Sequence, residues 1–253
     1  MKKYMNYNLI NVFNDTLEFS KKFVYSNTKK FTFDDIVKPT SPDKSGPRSI
    51  FYKIKLENMD SVSTLEKYSE SGKCCVLNMA SFKRPGGGVE RGARAQEEGL
   101  FRCSNLFTVI DKSHYPLQEN ECLYTKDAVF FKDFNYNYIN PITSDVITIA
   151  AINLNNNAKY DDVQTSLDYL KITKEKIRLM LTLPAQNDVK NLILGAWGCG
   201  VFNNDPKVMS GLFSDILINE GYINLYDNVV FGIINDHNSV DNNFGIFNKT
   251  FND

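Results

Sequence analysis

The chain has 253 residues, of which 42% are hydrophobic and 23% charged, and its formal net charge is −1. Such a composition is ordinary for a soluble globular protein and gives no overall electrostatic attraction to nucleic acids or to anionic membranes. No signal-peptide pattern opens the sequence, and the late apolar run VVFGII is too short to span a bilayer.

Apolar residues recur at roughly helical spacing over residues 5–26 and predict the first element, an N-terminal helix. The stretch VKPTSPDKSGPRS at 37–49 is rich in proline, serine and glycine, which is typical of a surface loop. We therefore expect an N-terminal helical extension at 1–48, followed by one domain at 49–253.

From residue 49 onward, short apolar runs of strand type alternate with segments of helical periodicity. This alternation predicts a three-layer α/β fold with helices on both faces of a sheet. The helix at 162–182 is expected to end before Pro184. The predicted strands are 49–57, 74–80, a strand pair with a Lys-Asp turn within 121–133, 147–153, 191–197 and 228–235, and the predicted helices are 63–70, 92–110, 162–182 and 205–220.

The five cysteines form no CxxC pair, and the chain has only two histidines. No metal-site spacing is present in this pattern. We therefore expect reduced thiols in an intracellular protein, cytoplasmic or nuclear.

Two predicted strands run directly into glycine-rich loops, VLNMASFKRPGGG at 76–88 and LILGAWGCGVFNNDP at 192–206. In α/β sheets ligands bind beyond the carboxyl ends of strands, where glycines let backbone N–H groups approach a phosphate. Neither loop contains a P-loop or a complete Rossmann pattern. Each loop alone is explained by a tight turn, but two such loops on one sheet favour a site that clamps a diphosphate from both sides.

Glu97 and Glu98 are adjacent in the segment ARAQEEGLFR. Neighbouring helical residues point about 100° apart. The pair therefore cannot flank a scissile bond as the usual glycosidase carboxyls do, which lie about 5 Å or more apart. If this pair acts on a glycosidic bond, one carboxyl carries most of the proton transfer and the other orients the substrate. The competing interpretation is a solvated helix face with a Glu98–Arg102 ion pair.

The segment LNMASFKRPGGGVERGARAQEEGLFR resembles the signature of the poly(ADP-ribose) glycohydrolases, in particular their compact bacterial-type branch. LGAWGCGVFNNDP, LYTKDAVFFKD and FGIIND are similar to the same branch, and the resemblance covers roughly residues 50–236. It implies a three-layer α/β/α macrodomain with a mixed central sheet and an N-terminal helical extension. The implied reaction is hydrolysis of the ribose–ribose O-glycosidic bond, without a metal or organic cofactor. The implied binding partners are poly(ADP-ribose) or ADP-ribosylated macromolecules, and the implied product is ADP-ribose. We expect the protein to be a monomer.

The resemblance also assigns roles to residues. Glu98 matches the catalytic position, which protonates the leaving 2′-oxygen and then activates water. Glu97 matches the position that hydrogen-bonds the substrate ribose hydroxyls. The two glycine loops match the diphosphate-binding loops, and Phe202 matches an aromatic residue that packs against the ligand. The residues assigned to substrate binding are Gly86, Gly87, Gly88, Gln96, Asn78, Gly198, Cys199, Gly200, Val201 and Phe202.

One position departs from the larger relatives of this family. Many of them have FAN before the glycine loop, whereas this chain has NMAS, with Ser81 in place of the asparagine. Asn78 is the alternative candidate for that ribose contact, and a strand-end turn is its competing role.

Two other functions remain open at the level of sequence. A macrodomain that binds ADP-ribose without cutting it has no need of the paired glutamates. A hydrolase of another ADP-ribosyl linkage, on protein or nucleic acid, differs in how its pocket closes around the leaving group.

Overall fold

The computed structural model describes residues 8–23, 25, 27–35, 51–155, 166–234 and 242–252. Within these residues seven strands form one mixed sheet: β1 Asn27–Thr32, β2 Ile54–Glu57, β3 Cys74–Met79, β4 Glu121–Lys132, β5 Tyr138–Ile149, β6 Asn191–Leu194 and β7 Asn228–Gly232. Their spatial order is β1-β4-β5-β3-β6-β7-β2. The strands from β5 to β2 are parallel, whereas β4 and β1 are antiparallel additions at one edge.

The described residues also form seven α-helices: α1 Leu9–Ser20, α2 Ser61–Tyr68, α3 Gln96–Cys103, α4 Leu106–Val109, α5 Leu167–Ala185, α6 Pro206–Ser214 and α7 Asn243–Asn252. None of them is long and apolar enough to cross a membrane.

Hydrophobic cores lie on both faces of the sheet, because successive side chains of a strand point in opposite directions. Cys75 and Leu77 of β3 face the core under α5, α6 and α7, whereas Val76 faces the core under α1 to α4. The first five residues of β3 and all four of β6 are buried, as parallel strands covered on both faces require. The prediction of a three-layer fold with a mixed sheet is confirmed.

Buried cations attach α1 to the rest of the molecule. Arg102 is fully buried, and its guanidinium donates to the carbonyl oxygens of Leu9 (3.3 Å) and Ala93 (2.6 Å). Lys132, also buried, donates to the Asp15 carboxylate at 2.6 Å. Because a buried charge without partners is costly, these contacts place α1 firmly against α3 and β4.

The N-terminal segment also contributes to the sheet, since β1 pairs with β4. The predicted boundary between an extension at 1–48 and a domain at 49–253 stays a prediction. The predicted loop at 37–49 lies outside the described residues.

The prediction of one helix over 92–110 was wrong. Residues 92–95 belong to a loop, and the helical part is divided into α3 and α4. Asn105 causes the break: its backbone N–H donates to the Val129 carbonyl (3.1 Å), and its side-chain Oδ1 accepts from the Val129 N–H (2.9 Å). This exchange with β4 requires extended backbone at Ser104, which a continuous helix does not have.

The strand pair predicted within 121–133 was also wrong. The Lys-Asp dipeptide at 126–127 forms a bulge inside the single long strand β4, and the register with β5 shifts there. Asp127 has a positive φ of 53°, and its N–H donates to the Asp145 carboxylate on β5 at 3.1 Å. Because the Asp145 carboxylate on the neighbouring strand accepts this hydrogen bond, the Lys-Asp dipeptide forms a bulge, although its residue types suit a turn.

Two helices in the C-terminal part of the chain, α5 and α7, depart from what the sequence predicted. α5 continues through Pro184 to Ala185, because a proline in the last turn removes only one hydrogen bond near a helix end. α7 was not predicted, although Phe247 and Phe251 are four residues apart and pack on Phe231, with ring centroids at 5.5 and 5.0 Å. The start of the helix predicted at 162 lies outside the described residues.

Candidate active site

Two loops leave the same edge of the sheet side by side. The first glycine loop, residues 80–95, follows β3 and leads into α3, and the second glycine loop, residues 195–205, follows β6 and leads into α6. β3 and β6 are adjacent parallel strands, so both loops start from their carboxyl ends. Phe82 and Phe202 meet across the gap, with ring centroids 6.4 Å apart and planes at 60°. The predicted pairing of the two loops therefore holds in space.

The first glycine loop lies directly against the paired glutamates. Gly86 and Gly87 have φ values of 70° and 53°, a left-handed conformation that glycine adopts without strain. A Cβ placed on Gly87 would lie 2.6 Å from a carboxyl oxygen of Glu98 and 3.0 Å from one of Glu97. Both carboxyl groups thus converge on one glycine that has no room for a side chain.

Glu97 is buried, with 3% of its surface exposed, and three N–H groups hold its carboxyl. Oε1 accepts from the Gly86 backbone (3.1 Å) and from the Asn78 amide (3.3 Å), and Oε2 accepts from the Ser81 backbone (2.7 Å). Burial raises the pKa of Glu97 to about 8; the Ser81 hydrogen bond opposes this shift and the charge of Glu98 adds to it. Glu97 is therefore mostly protonated at neutral pH in the unliganded site.

Glu98 holds the loop at two other points. Its Oε1 accepts from the Gly88 backbone N–H and its Oε2 from the Ala95 backbone N–H, both at 2.8 Å. The side chain caps the first turn of α3, where backbone N–H groups lack helical partners. The alternative interpretation, a solvated helix face with a Glu98–Arg102 ion pair, was wrong, because Glu98 is buried and Arg102 donates to carbonyl groups instead.

Gln96 connects α3 to β3. Its amide donates to the Leu77 carbonyl (2.6 Å) and to the Ser61 hydroxyl (3.0 Å), and its Oε1 accepts from the Met79 N–H (2.9 Å). β6 pairs with β3 only as far as Val76. Beyond that residue the Gln96 amide makes hydrogen bonds to the β3 backbone in place of a neighbouring strand. The predicted substrate contact of Gln96 stays a prediction.

Asn78 and Ser81 both act on Glu97. Asn78 is fully buried, and its amide donates to Thr148 as well as to Glu97, both at 3.3 Å. Its Oδ1 is buried without a hydrogen-bond partner. Ser81 reaches Glu97 through its backbone, a contact that any residue type supplies and that the sequence therefore did not reveal.

One asparagine that sequence reasoning missed organises the second glycine loop. The buried Asn204 donates to the carbonyls of Ile152 (2.9 Å), Gly198 (3.0 Å) and Phe202 (3.2 Å). Its Oδ1 accepts from the Tyr169 hydroxyl at 2.7 Å. The only available signal was its place in the NND sequence just before the proline that starts α6.

The predicted residues of the second glycine loop differ in exposure. Gly198 has a φ of 80°, and a Cβ there would lie 2.8 Å from the Asn204 amide. Cys199 is buried, and burial raises the pKa of its thiol well above the ordinary value, which disfavours the thiolate form that a nucleophile needs. Phe202 is partly buried, and Val201 is 58% exposed, which leaves both at the mouth of the site.

Comparison with known proteins places this geometry in a family. Residues 9–134 match the family model described as the catalytic domain of microbial-type PARG. The chain belongs to the microbial-type PARG family. No curated protein shows significant similarity to the sequence.

Solved structures of PARG share the whole fold. A poly(ADP-ribose) glycohydrolase from Thermomonospora curvata superposes with a TM-score of 0.79 at 20% identity, over 96% of this chain and 98% of the other. The same enzyme bound to the inhibitor ADP-HPD gives 0.77 at 21%, over 95% and 98%. The enzyme from Deinococcus radiodurans in complex with ADP-ribose gives 0.73 at 23%, over 95% and 97%.

Membership of the PARG family makes this chain an enzyme of the glycohydrolase class, as its sequence predicted. The described part of the chain contains no cluster of three or more histidine, cysteine or acidic side chains that could hold a metal ion. Glu97, Glu98 and the two glycine loops lie together at the carboxyl edge of the sheet.

Proposed function

We propose that the protein hydrolyses the ribose–ribose O-glycosidic bond of poly(ADP-ribose) and releases ADP-ribose, with Glu98 as the single acid and base. One observation carries this proposal: two adjacent, buried carboxyls converge on Gly87 at the carboxyl edge of the sheet. The solved relatives in complex with ADP-ribose and with ADP-HPD support the choice of ligand.

The diphosphate would lie between the two glycine loops. Lys83 and Arg84 are exposed on the first loop and supply positive charge close to it. The second loop adds Val201 and Phe202 at the mouth, which present apolar surface to a nucleoside. This arrangement would hold the substrate by its charged centre and leave the glycosidic bond beside α3.

Glu98 would then transfer the proton. Each of its oxygens accepts one backbone N–H, and a carboxyl oxygen has a second lone pair for another partner. With the proton of the carboxyl pair on Glu98, that proton passes to the leaving 2′-oxygen as the bond from that oxygen to the anomeric carbon breaks. Water then attacks the oxocarbenium-like carbon and returns a proton to the Glu98 carboxylate.

Glu97 would bind the ribose hydroxyls. Its carboxyl is neutral at neutral pH in the unliganded site, so it offers one O–H donor together with its acceptor lone pairs. A vicinal pair of ribose hydroxyls needs both kinds of partner.

Release of ADP-ribose from purified poly(ADP-ribose) tests the proposal. Wild type, Glu98→Gln and the control Glu90→Gln, an exposed glutamate of the same loop, are compared side by side. We expect Glu98→Gln to lose about 10²-fold or more in rate, since one acid and base group is removed, and Glu90→Gln to keep full activity. Calorimetric binding of ADP-ribose by all three shows that the site remains intact.

Two results would contradict the proposal. Cleavage by Glu98→Gln at the wild-type rate would remove Glu98 from the mechanism. Binding of ADP-ribose by wild type without any release from the polymer would indicate a reader or a hydrolase of another ADP-ribosyl linkage, to be assayed on mono-ADP-ribosylated protein and nucleic acid.

A further inference from the structure

The segment 89–94 lies between the two residues to which Glu98 binds. Glu98 accepts the backbone N–H groups of Gly88 and of Ala95, one at each end of this segment, both at 2.8 Å. Glu97 is held instead by donors that precede Gly88 in the chain. The two carboxyls therefore border different parts of the first glycine loop, and the segment 89–94 is the part on the Glu98 side.

Hydrogen bonds and burial fix the backbone of this segment. The Gly88 carbonyl accepts from the N–H groups of Arg91 (2.9 Å) and Ala93 (3.2 Å). Val89 is fully buried, and the buried guanidinium of Arg102 donates to the Ala93 carbonyl at 2.6 Å. Because the backbone is held in this way, the exposed side chains of the segment start from a fixed place beside the carboxyl pair.

The exposed side chains of the segment are mainly charged. Glu90, Arg91 and Arg94 are all exposed. Arg94 already interacts with another group of the protein. Within the described residues, by contrast, the guanidinium of Arg91 makes no hydrogen bond, ion pair or ring contact. Arg91 therefore offers its positive charge to a ligand at the edge of the site.

The proposed mechanism determines what lies on the Glu98 side of the site. Glu98 protonates the leaving oxygen, so the leaving group must lie beside it, whereas the ribose that is retained lies at Glu97. In poly(ADP-ribose) the leaving oxygen is the 2′-oxygen of the next adenosine, whose 5′-carbon carries a diphosphate. Arginine suits such a group, because its planar guanidinium can form two parallel hydrogen bonds to phosphate oxygens.

We propose that Arg91 belongs to a leaving-group subsite, which binds the diphosphate of the next ADP-ribose unit in the polymer. This inference rests on the proposed function and goes beyond it, because it assigns the residue that recognises the departing part of the substrate. The diphosphate of the ADP-ribose that is released remains between the two glycine loops.

Kinetics with two substrates test the subsite. The first substrate is purified poly(ADP-ribose), and the second is the α-linked phenyl glycoside of ADP-ribose, whose leaving group carries no phosphate. Wild type, Arg91→Gln, Arg91→Lys and the control Lys190→Gln are compared at low and at high salt. Lys190 is exposed and directly precedes β6, at the amino end of that strand, whereas the site lies at the carboxyl ends.

We expect Arg91→Gln to lower kcat/KM for the polymer about fivefold at low salt, the size of one solvent-exposed charged contact. The same variant should cleave the phenyl glycoside and bind ADP-ribose as wild type does. Arg91→Lys should keep part of the polymer rate, because it retains the charge but not the two parallel hydrogen bonds. High salt should narrow the difference between wild type and Arg91→Gln.

The outcomes separate the subsite from the proposed function. Equal polymer kinetics of wild type and Arg91→Gln would overturn the subsite alone, and so would an equal loss on both substrates, which would place Arg91 at the retained unit. A loss of the same size in Lys190→Gln would reduce the effect to overall charge and would also overturn the subsite. A wild type that leaves the polymer intact would overturn the proposed function, and the subsite with it.

Discussion

The two glycine loops are held by different chemistry. Two carboxyl groups hold the first loop, those of Glu97 and Glu98, and burial raises the pKa of Glu97 to about 8. A neutral amide holds the second loop, through three carbonyls bound to Asn204. The contacts of the first loop can therefore change with pH through Glu97, whereas those of the second loop do not involve a carboxyl group. In the proposed function, the acid groups lie on one side of the substrate and the other side supplies shape.

The largest expected effect comes from filling the space between the glutamates. Gly87→Ala places a methyl group 2.6 Å from a Glu98 oxygen on a left-handed backbone. The backbone alone costs about 1–2 kcal/mol, and displacement of both carboxyls should abolish polymer hydrolysis. Rate assays and urea denaturation measure the two effects.

Gly99→Ala is the control for that substitution. Gly99 is in α3, and no atom lies within 4 Å of a Cβ placed there. The change should keep activity and stabilise the protein by up to about 1 kcal/mol, because alanine is the better helix former. Equal losses in both variants would contradict the close fit at Gly87.

Removing the amide of the second loop should give the next largest effect. Asn204→Ala takes the amide donor from the Ile152 carbonyl and the amide acceptor from the Tyr169 hydroxyl, both in buried hydrogen bonds, whereas the carbonyls of Gly198 and Phe202 keep backbone donors. We expect a loss of about 3 kcal/mol in the free energy of unfolding. That loss should be the same from pH 6 to pH 8, because no titrating group is involved. A loss that depends on pH in this range would remove the contrast between the two loops.

The first loop should show the opposite behaviour. The pKa of Glu97 is about 8 in the folded protein and has an ordinary value of 4.5. Between these pH values the folded protein binds a proton that the unfolded chain has released, so the free energy of unfolding falls as pH rises. We expect wild type to lose about 2 kcal/mol between pH 6 and pH 8 relative to Glu97→Gln. Urea denaturation measures the free energy of unfolding of both proteins at each pH. An equal change in the two proteins between pH 6 and pH 8 would contradict the raised pKa of Glu97.

The smallest expected effect concerns the contact between the loops. Phe82→Ala removes the edge-to-face pair with Phe202, worth about 1 kcal/mol. We expect a stability loss of that size or somewhat more and weaker binding of ADP-ribose. A double-mutant cycle with Phe202→Ala measures the coupling energy between the two rings. A coupling energy of zero in both stability and binding would show that the two glycine loops are independent of each other.

Local patterns predicted most of the strands and helices from β2 to β7 and the two glycine loops, because strand and helix periodicity depends on neighbouring residues. The strand β1 and the helix α7 were not predicted. The wrong predictions were caused by partners that are distant in the sequence. Asn105 ends a helix through its hydrogen bonds with Val129 of β4, and Asp127 forms a bulge through its hydrogen bond to Asp145. Neither partner is visible in a window of adjacent residues.

The site was predictable in the same uneven way. Glu97, Glu98 and Gly87 stand in one short motif, and the structure brings them together. Asn204 was missed because asparagines are common in this chain and only its burial distinguishes it.

The attachment of α1 has a consequence for how the protein is made. Helix α1 is synthesised before β4, and its partner Lys132 follows Asp15 by 117 residues. At ordinary rates of translation, about 5–20 residues per second, Lys132 is added roughly ten seconds after Asp15. The ion pair between α1 and β4 can therefore form only after β4 has been synthesised. The contacts between α1 and α3 do not require that interval, because Arg102 precedes β4 in the chain.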